Sequence, residues 1–328
     1  MLARHMIVLL FLLLLNWIGG KYGGLESTIL SSVRNLVATR NGSCPKRLRN
    51  LCAREVNLTD VLEEAISLSL EHCQDHFRYT RWNCTINHRL FQIVSRETAM
   101  VTAFVAASLV QTLTRACGNE RFSVCRKSLS ENFTYFDKQL VVHSQSDDLH
   151  FGRRMAHRIL GLPRRKRKVN KTKRPLEDVL MAHNAQLGLQ VVAEFEDSCQ
   201  CHGVSGSCSI KSCKRRLVQF EKPAKFLRER YSFRYPIAAR VESLEESSKK
   251  KKMPRRRLVY AAASPNFCKL THGRECSGEM NCSTLCCGRG FLTRDVRISK
   301  RCKCKMFPSC CNLKCETCFL TKTIYTCK

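Results

Sequence analysis

No apolar run in this sequence reaches the roughly twenty residues that a membrane-spanning helix needs. Met6 to Leu15 falls short, and Glu97, Arg115 and several threonines interrupt the apolar stretch between His88 and Arg115. A transmembrane segment is therefore not expected. Acidic residues are also scarce, 27 against 57 Lys and Arg in 328 residues, which leaves a formal net charge of +30. The imbalance is concentrated. Pro163 to Arg174 holds eight basic residues and no acid, and Lys249 to Arg257 holds seven basic residues in nine positions. These two stretches carry half of the net charge and read as linkers, over 163–174 and 236–257.

What is present fixes the compartment. Arg4 and His5 precede the run from Met6 to Leu15, and Gly19 and Gly20 follow it, the pattern of a signal peptide over residues 1–20. Secretion through the endoplasmic reticulum excludes nucleic acid as the natural partner of the basic runs. Sulfated glycosaminoglycan on cell surfaces takes its place, with a solvated, disordered loop as the competing reading. Arg164-Arg165-Lys166-Arg167 also resembles a furin-type processing site. The 22 cysteines are even in number, as complete pairing in an oxidising compartment requires. On the order of ten billion pairings are possible, so composition alone does not give the connectivity. Six sequons, at Asn41, Asn57, Asn83, Asn132, Asn170 and Asn281, are candidates for N-glycosylation.

The densest signal is Cys199-Gln-Cys-His-Gly-Val-Ser-Gly-Ser-Cys-Ser-Ile-Lys-Ser-Cys213, four half-cystines in fifteen residues. If Cys199 pairs with Cys213 and Cys201 with Cys208, two nested bridges close a hairpin whose tip is His202 to Ser207. Gly203 and Gly206 then allow positive φ on either side of Ser205, and the tip presents that hydroxyl outward. Three other readings compete. Four cysteines and His202 could ligate zinc, which oxidation disfavours. Gly203-Val-Ser-Gly-Ser207 approaches the Gly-x-Ser-x-Gly nucleophile elbow, but it lacks the last glycine and the strand-to-helix turn the elbow needs. The third is a structural loop in which Ser205 has no role.

From Cys44 to about Leu162 the pattern is helical. Thr59 or Asp60 is placed to cap a helix with Val61, Leu62, Ala65, Ile66 and Leu68 on its apolar side and Glu63 and Glu64 in its first turn. Between His88 and Arg115 apolar residues cover more than one face, which predicts a buried central helix. Another helix is expected from roughly Leu176 to Glu196. Beyond Ser264-Pro265-Asn266-Phe267-Cys268, twelve cysteines lie in sixty residues up to Cys327. Such density predicts short hairpins held by bridges in place of a large apolar core.

The hairpin stretch resembles the acylated hairpin of the Wnt family of secreted, lipid-modified signalling proteins. His72-Cys73-Gln74-Asp75-His76-Phe77, Arg81-Trp82-Asn83-Cys84-Thr85, Thr114-Arg115-Ala116-Cys117 and Cys286-Cys287-Gly288-Arg289-Gly290 are similar to further blocks of that family. The resemblance runs from about Cys44 to Lys328. It implies an α+β, disulfide-rich fold: a helical domain over 21–162, a helix with the acylated hairpin over 175–235, and a cystine-rich finger domain over 258–328. It also implies a monounsaturated sixteen-carbon acyl group on Ser205, with no other cofactor or metal and no enzymatic activity of the chain's own. The implied pairs are Cys44 with Cys52, Cys73 with Cys84, Cys117 with Cys125, Cys268 with Cys287, Cys276 with Cys282, Cys286 with Cys327, Cys302 with Cys318, Cys304 with Cys315, and the adjacent Cys310 with Cys311.

Two departures stand out. The family usually has a further pair of cysteines where this chain has Lys127 and Gln145, so the loop from Lys127 to Ser146 is expected to be looser. Pro308 and Ser309 stand where an aromatic commonly precedes the adjacent cysteines. The finger tip expected to touch a receptor comprises Met306, Phe307, Cys310 and Cys311. By resemblance, hairpin and finger would pinch the extracellular domain of a Frizzled-type receptor. A co-receptor related to the low-density-lipoprotein receptor, a membrane-bound acyltransferase, a lipid-ligand carrier and heparan sulfate proteoglycans complete the implied partners. The alternative is a non-lipidated, cystine-rich extracellular-matrix protein that binds glycosaminoglycans through its basic runs.

Overall fold

The computed structural model describes residues 28–38, 44–125, 132–136, 139–143, 146–163, 175–232, 239–240, 256–306 and 313–328. The signal peptide, Asn41, Lys127, Gln145, Asn170, nearly all of both basic linkers, Phe307, Cys310 and Cys311 lie outside them. The described chain falls into two units, one from residues up to 73 with 86–264 and one from 74–85 with 265–328.

The first unit is built on one helix. The unit also contains α1 (Thr28–Ala38), α2 (Arg49–Arg54) and the greater part of α3 (Leu58–His76). The central helix, α4 (Arg96–Gly118), is buried almost along its whole length, as its apolar residues on every face require. By length and composition α4 could cross a membrane, yet this unit buries it. The sequence reading starts this helix near His88. Instead, residues His88–Gln92 form a 3₁₀ turn, and Ser95 caps α4 by accepting from Thr98 N at 3.3 Å. The expected cap at Thr59 or Asp60 is likewise displaced, because α3 already begins at Leu58 and both residues lie in its first turn.

Two strands then interrupt the stretch read as helical. β1 (Asn132–Phe136) and β2 (Gln139–His143) pair antiparallel inside the loop from Lys127 to Ser146. Their register runs from Asn132 opposite His143 to Phe136 opposite Gln139. α5 (Leu149–Ile159) and α6 (Leu176–Val191) pack on α4. At Gly188 a Cβ would lie 2.2 Å from the Ala103 carbonyl oxygen, so only glycine lets α6 come this close to α4. α6 stops at Val191, five residues before the expected Glu196, because Phe195 already enters β3 (Phe195–Cys201). β4 (Ile210–Leu217) and α7 (Glu221–Tyr231) follow. The four strands form one sheet in the order β1-β2-β4-β3, with β2 and β4 parallel. A parallel pair of two-residue strands, β5 (Ala239–Arg240) and β6 (Val259–Tyr260), completes the unit. Leu258 and Val259 are fully buried here, and the Asn184 amide brackets Val259 with bonds of 2.8 and 3.0 Å. Residues 258–264, grouped with the finger in the sequence reading, thus belong to the first unit.

In the second unit β7 (Glu275–Cys276), α8 (Glu279–Leu285), β8 (Phe291–Met306) and β9 (Leu313–Cys327) give a sheet in the order β7-β9-β8. Its small core is Cys276, Cys282, Leu285, Cys286 and Cys327, with Phe291 and Tyr325 against it, so bridges replace most apolar packing. The structure pairs Cys268 with Cys287, Cys276 with Cys282, Cys286 with Cys327, Cys302 with Cys318, and Cys304 with Cys315. Residues 74–85, read as part of the helical domain, join this unit because the Arg274 guanidinium donates to the carbonyls of Arg78, Thr80 and Arg81 at 2.8 to 2.9 Å. Phe77 and Trp82 stack edge to face beside them, 5.0 Å apart.

Candidate functional site

The cysteine-rich hairpin projects from the first unit on β3 and β4. Cross-strand neighbours fix its register: Glu196 faces Arg216, Asp197 faces Arg215, and Cys199 faces Cys213. Opposite charges on facing positions favour this pairing over a slip by one residue, which would send every side chain to the other face. Cys199 is bridged to Cys213 and Cys201 to Cys208. All four sulfurs are therefore consumed, and none remains for a metal. On its far side β4 is flanked by β2, from Leu140 beside Ile210 to His143 beside Cys213. The hairpin is thus supported along one edge by a strand that the sequence reading did not contain.

The tip is a closed turn. His202 N donates to Ile210 O at 2.7 Å, Gly203 N to Ser207 O at 2.8 Å and Gly206 N to Gly203 O at 2.9 Å. Ser205 itself takes the left-handed conformation, at φ 56° and ψ 27°, and Gly206 follows at φ 77°. Gly203 does not take the positive φ expected of it; its φ is −72°. Its requirement is space, since a Cβ there would meet Ser207 Oγ at 2.0 Å and Ser207 O at 2.5 Å. Ser205 is exposed, its neighbour Val204 is 89 % exposed, and the Ser205 hydroxyl has no hydrogen-bond partner among the described residues. His202 Nε2 is bonded to Ser212 Oγ at 2.7 Å. The chain runs strand, turn, strand, with no helix after the serine, so the nucleophile-elbow geometry is absent.

The root of the hairpin is held by residues that the sequence reading did not single out. Asp147 Oδ2 accepts from Leu217 N at 2.7 Å, and Asp147 N donates to Arg215 O at 3.0 Å. From α4, Arg115 donates to Leu217 O and Gln111 to Val218 O, both at 2.8 Å. Burial pushes the Asp147 carboxyl above its ordinary range, although the Leu217 amide and the charges of Arg216, Arg115 and Lys214 pull the other way. The available signal was Gln111 and Arg115 one turn apart in the C-terminal half of a helix that is otherwise largely buried. Two polar side chains on that spacing need a partner beyond the helix.

The remaining sequence candidates are dispersed. Cys44 is bridged to Cys52 and Cys117 to Cys125, and Cys73 and Cys84 are each in a disulfide. Met306 ends β8 opposite Leu313, at the base of the tip that lies outside the described residues. Among the sequons, Asn57 donates to Arg121 O at 2.7 Å, Asn83 is half-buried, Asn132 opens β1, and Asn281 is held on α8 by a bond to Tyr79 O at 2.9 Å.

Comparison with known proteins bears on this geometry. The family model described as the wnt family matches residues 41–328. Protein Wnt-16 of Bos taurus is 33% identical over 315 residues, covering 86% of this chain and 85% of that protein. Protein Wnt-9b of Homo sapiens is 33% identical over 311 residues, covering 86% and 83%. Protein Wnt-4 of Drosophila melanogaster is also 33% identical across 86% of this chain, which spans only about half, 54%, of that longer protein. Among solved structures, a chain of human WLS in complex with WNT8A superposes with a TM-score of 0.58 at 25% identity, over 90% of this chain and 99% of that one.

Proposed function

The chain belongs to the Wnt family, and from that premise we propose that it is a secreted developmental ligand carrying a monounsaturated sixteen-carbon acyl group on Ser205. The observation that carries this reading is the Ser205 hydroxyl, raised on a doubly bridged post, exposed, and without a hydrogen-bond partner among the described residues. An acyltransferase needs a hydroxyl that is reachable and not already engaged, and a receptor needs a lipid presented at a fixed point. Both demands are met by a rigid exposed turn. With about 0.8 kcal/mol from each buried CH₂, a sixteen-carbon chain gains roughly 10 kcal/mol in an apolar groove before ordering costs. That is enough to make the lipid the dominant contact with a Frizzled-type receptor. The finger tip, Met306, Phe307, Cys310 and Cys311, adds a second contact. One acyl chain gives only reversible membrane binding. A lipid-ligand carrier such as WLS fits that requirement, the family relationship adds a membrane-bound acyltransferase and a co-receptor related to the low-density-lipoprotein receptor, and heparan sulfate proteoglycans fit the basic runs.

Mass spectrometry of the peptide spanning Ser205 tests the reading directly. The acyl mass is expected there, and Ser205→Ala is expected to fold while losing secretion and signalling. Wild-type secretion and signalling from that variant would overturn the proposal and favour the non-lipidated matrix protein.

A further inference from the structure

A second feature of the first unit lies at the turn of Lys46–Leu48, on α2 and on α5. A cleft of about 660 Å³ opens there, lined by Arg47, Arg54, Arg154 and Arg158 together with apolar Leu51, Val124, Phe151, Met155 and Leu162. Leu51, Phe151 and Leu162 are buried and form its floor, whereas Val124 at the rim is 60 % exposed. Arg154 and Arg158 stand one turn apart on α5, where like charges repel. Neither they nor Arg54 make an ion pair among the described residues. Arg47 is oriented by its bond to Ser32 Oγ at 2.6 Å. Glu55 is the one carboxylate in the lining, and both its oxygens are occupied at 3.0 Å by Ser123, through N and Oγ. That contact also holds together the two loops bearing Val124 and Val56, the latter 82 % exposed.

We propose that this cleft seats the anionic headgroup of a membrane lipid. Arginine forks match the paired oxygens of a phosphate or sulfate ester, and the apolar floor matches the glycerol and first acyl carbons beneath it. The exposed valines decide between a lipid and a sulfated polysaccharide. Apolar side chains flanked by arginines suit an interface where the first enter the acyl boundary and the second stay among headgroups, while a hydrated saccharide would leave the valines in water. The site stands apart from Ser205 and does not rest on its acylation. It would give an acylated ligand a second point on the bilayer, and so a fixed orientation there.

The test is co-sedimentation of the full, acylated protein with phosphatidylcholine vesicles, with and without added phosphatidylserine or sulfated galactolipid. Binding to the neutral vesicles reports the acyl chain, and the gain on adding anionic lipid reports cationic contacts. A background with serine in place of the basic residues of both 164–174 and 249–257 removes the two linkers' share of that gain. In this background a gain of roughly tenfold is expected to remain, and R154Q/R158Q to lose most of it. Val124→Asp, at an exposed position of the 3₁₀ turn Ser123–Cys125, should lose it too. R154K/R158K should keep a salt-sensitive remnant, because lysine keeps the charge without the fork. An undiminished gain in R154Q/R158Q would overturn the proposal. So would a loss confined to binding of a heparin oligosaccharide, which would make the cleft a polysaccharide site.

Discussion

A Cβ on Gly203 would press on Ser207 Oγ at 2.0 Å and on Ser207 O at 2.5 Å. The hydroxyl can rotate away; the carbonyl cannot without breaking its 2.8 Å bond from Gly203 N. Gly203→Ala should therefore cost about 1–3 kcal/mol as an overpacked turn. Gly206→Ala meets no atom within 4 Å but must hold φ 77°, at about 1–2 kcal/mol. Acyl occupancy of Ser205, measured on the total cellular protein before secretion selects the acylated molecules, should fall in both and further in Gly203→Ala. Equal occupancy in Gly203→Ala and wild type would show that the turn's shape is not what the acylating enzyme reads. Both glycines were legible in the sequence as turn residues, but only the folded tip distinguishes a need for positive φ from a need for empty space. Asp147 makes the opposite case, a residue whose importance no motif announces. Its carboxyl is pushed up by burial, so between the unfolded value and the raised folded one the native state binds the more protons. Stability then falls as pH rises through that window and comes back as pH drops. Asp147→Asn keeps an oxygen for Leu217 N and removes the titration. Its urea midpoint should change less than wild type's across that window, with the variant relatively more stable at neutral pH. Parallel pH profiles for the two proteins would exclude this assignment.

At the scale of elements, the hairpin has two separable braces. The outer bridge, Cys199 to Cys213, joins residues that already face each other in the strand register, whereas Cys201 faces Lys211 and reaches Cys208 only across the turn. The inner bridge therefore shapes the tip, while the outer one and β2 hold the strands. Changing Cys201 and Cys208 together to Ser leaves no orphan thiol and removes a short closed loop worth roughly 2–3 kcal/mol in chain entropy. The strands should stay paired and the protein should still fold, but the tip must be ordered each time an enzyme or receptor engages it. A marked loss of acyl occupancy, alongside an unchanged far-ultraviolet circular dichroism spectrum, is the expected result. Full occupancy would mean that Gly203, Gly206 and the backbone bonds suffice. Helices and cysteine spacings were readable because α4 is apolar on all faces and the bridges are local in sequence. The placing of β2 beside β4 was not, because it joins segments some seventy residues apart, such as Leu140 with Ile210. Nothing in a local window reports that. Helix starts failed for another reason: residues His88–Gln92 form a separate 3₁₀ turn, and Ser95 caps α4 only after it in the chain.

For the whole molecule, the formal charge of +30 sets long-range behaviour that no single fold element controls. The two basic stretches, 163–174 and 249–257, supply half of it in blocks without an acid. The folded hairpin mixes signs, with Glu196 and Asp197 facing Arg216 and Arg215, and so contributes little net field. The Ser205 post was legible because it rests on dense local spacing, and the α+β fold class because the resemblance to the Wnt family implies it. The unit boundary was not, since it is drawn by Arg274 gathering the carbonyls of Arg78, Thr80 and Arg81 from almost two hundred positions away. Arg256 and Arg257, at the end of the second run, are exposed. A polyanion is drawn to such a block through attraction screened over about 8 Å at physiological salt. Replacing Lys249 to Lys252 and Arg255 to Arg257 by Ser removes seven charges from one short stretch, so heparin elution should move to clearly lower salt. Affinity for a purified Frizzled-type ectodomain should barely change if, as proposed, the main contact is an acyl group on Ser205, because a short-range apolar contact is not replaced by added charge. Stability should not change either, since the run contributes no buried residue before Leu258 among those described. If heparin elution stays at the wild-type salt concentration, the block is only solvated surface, and attraction to cell-surface polyanions must come from charges on the folded units.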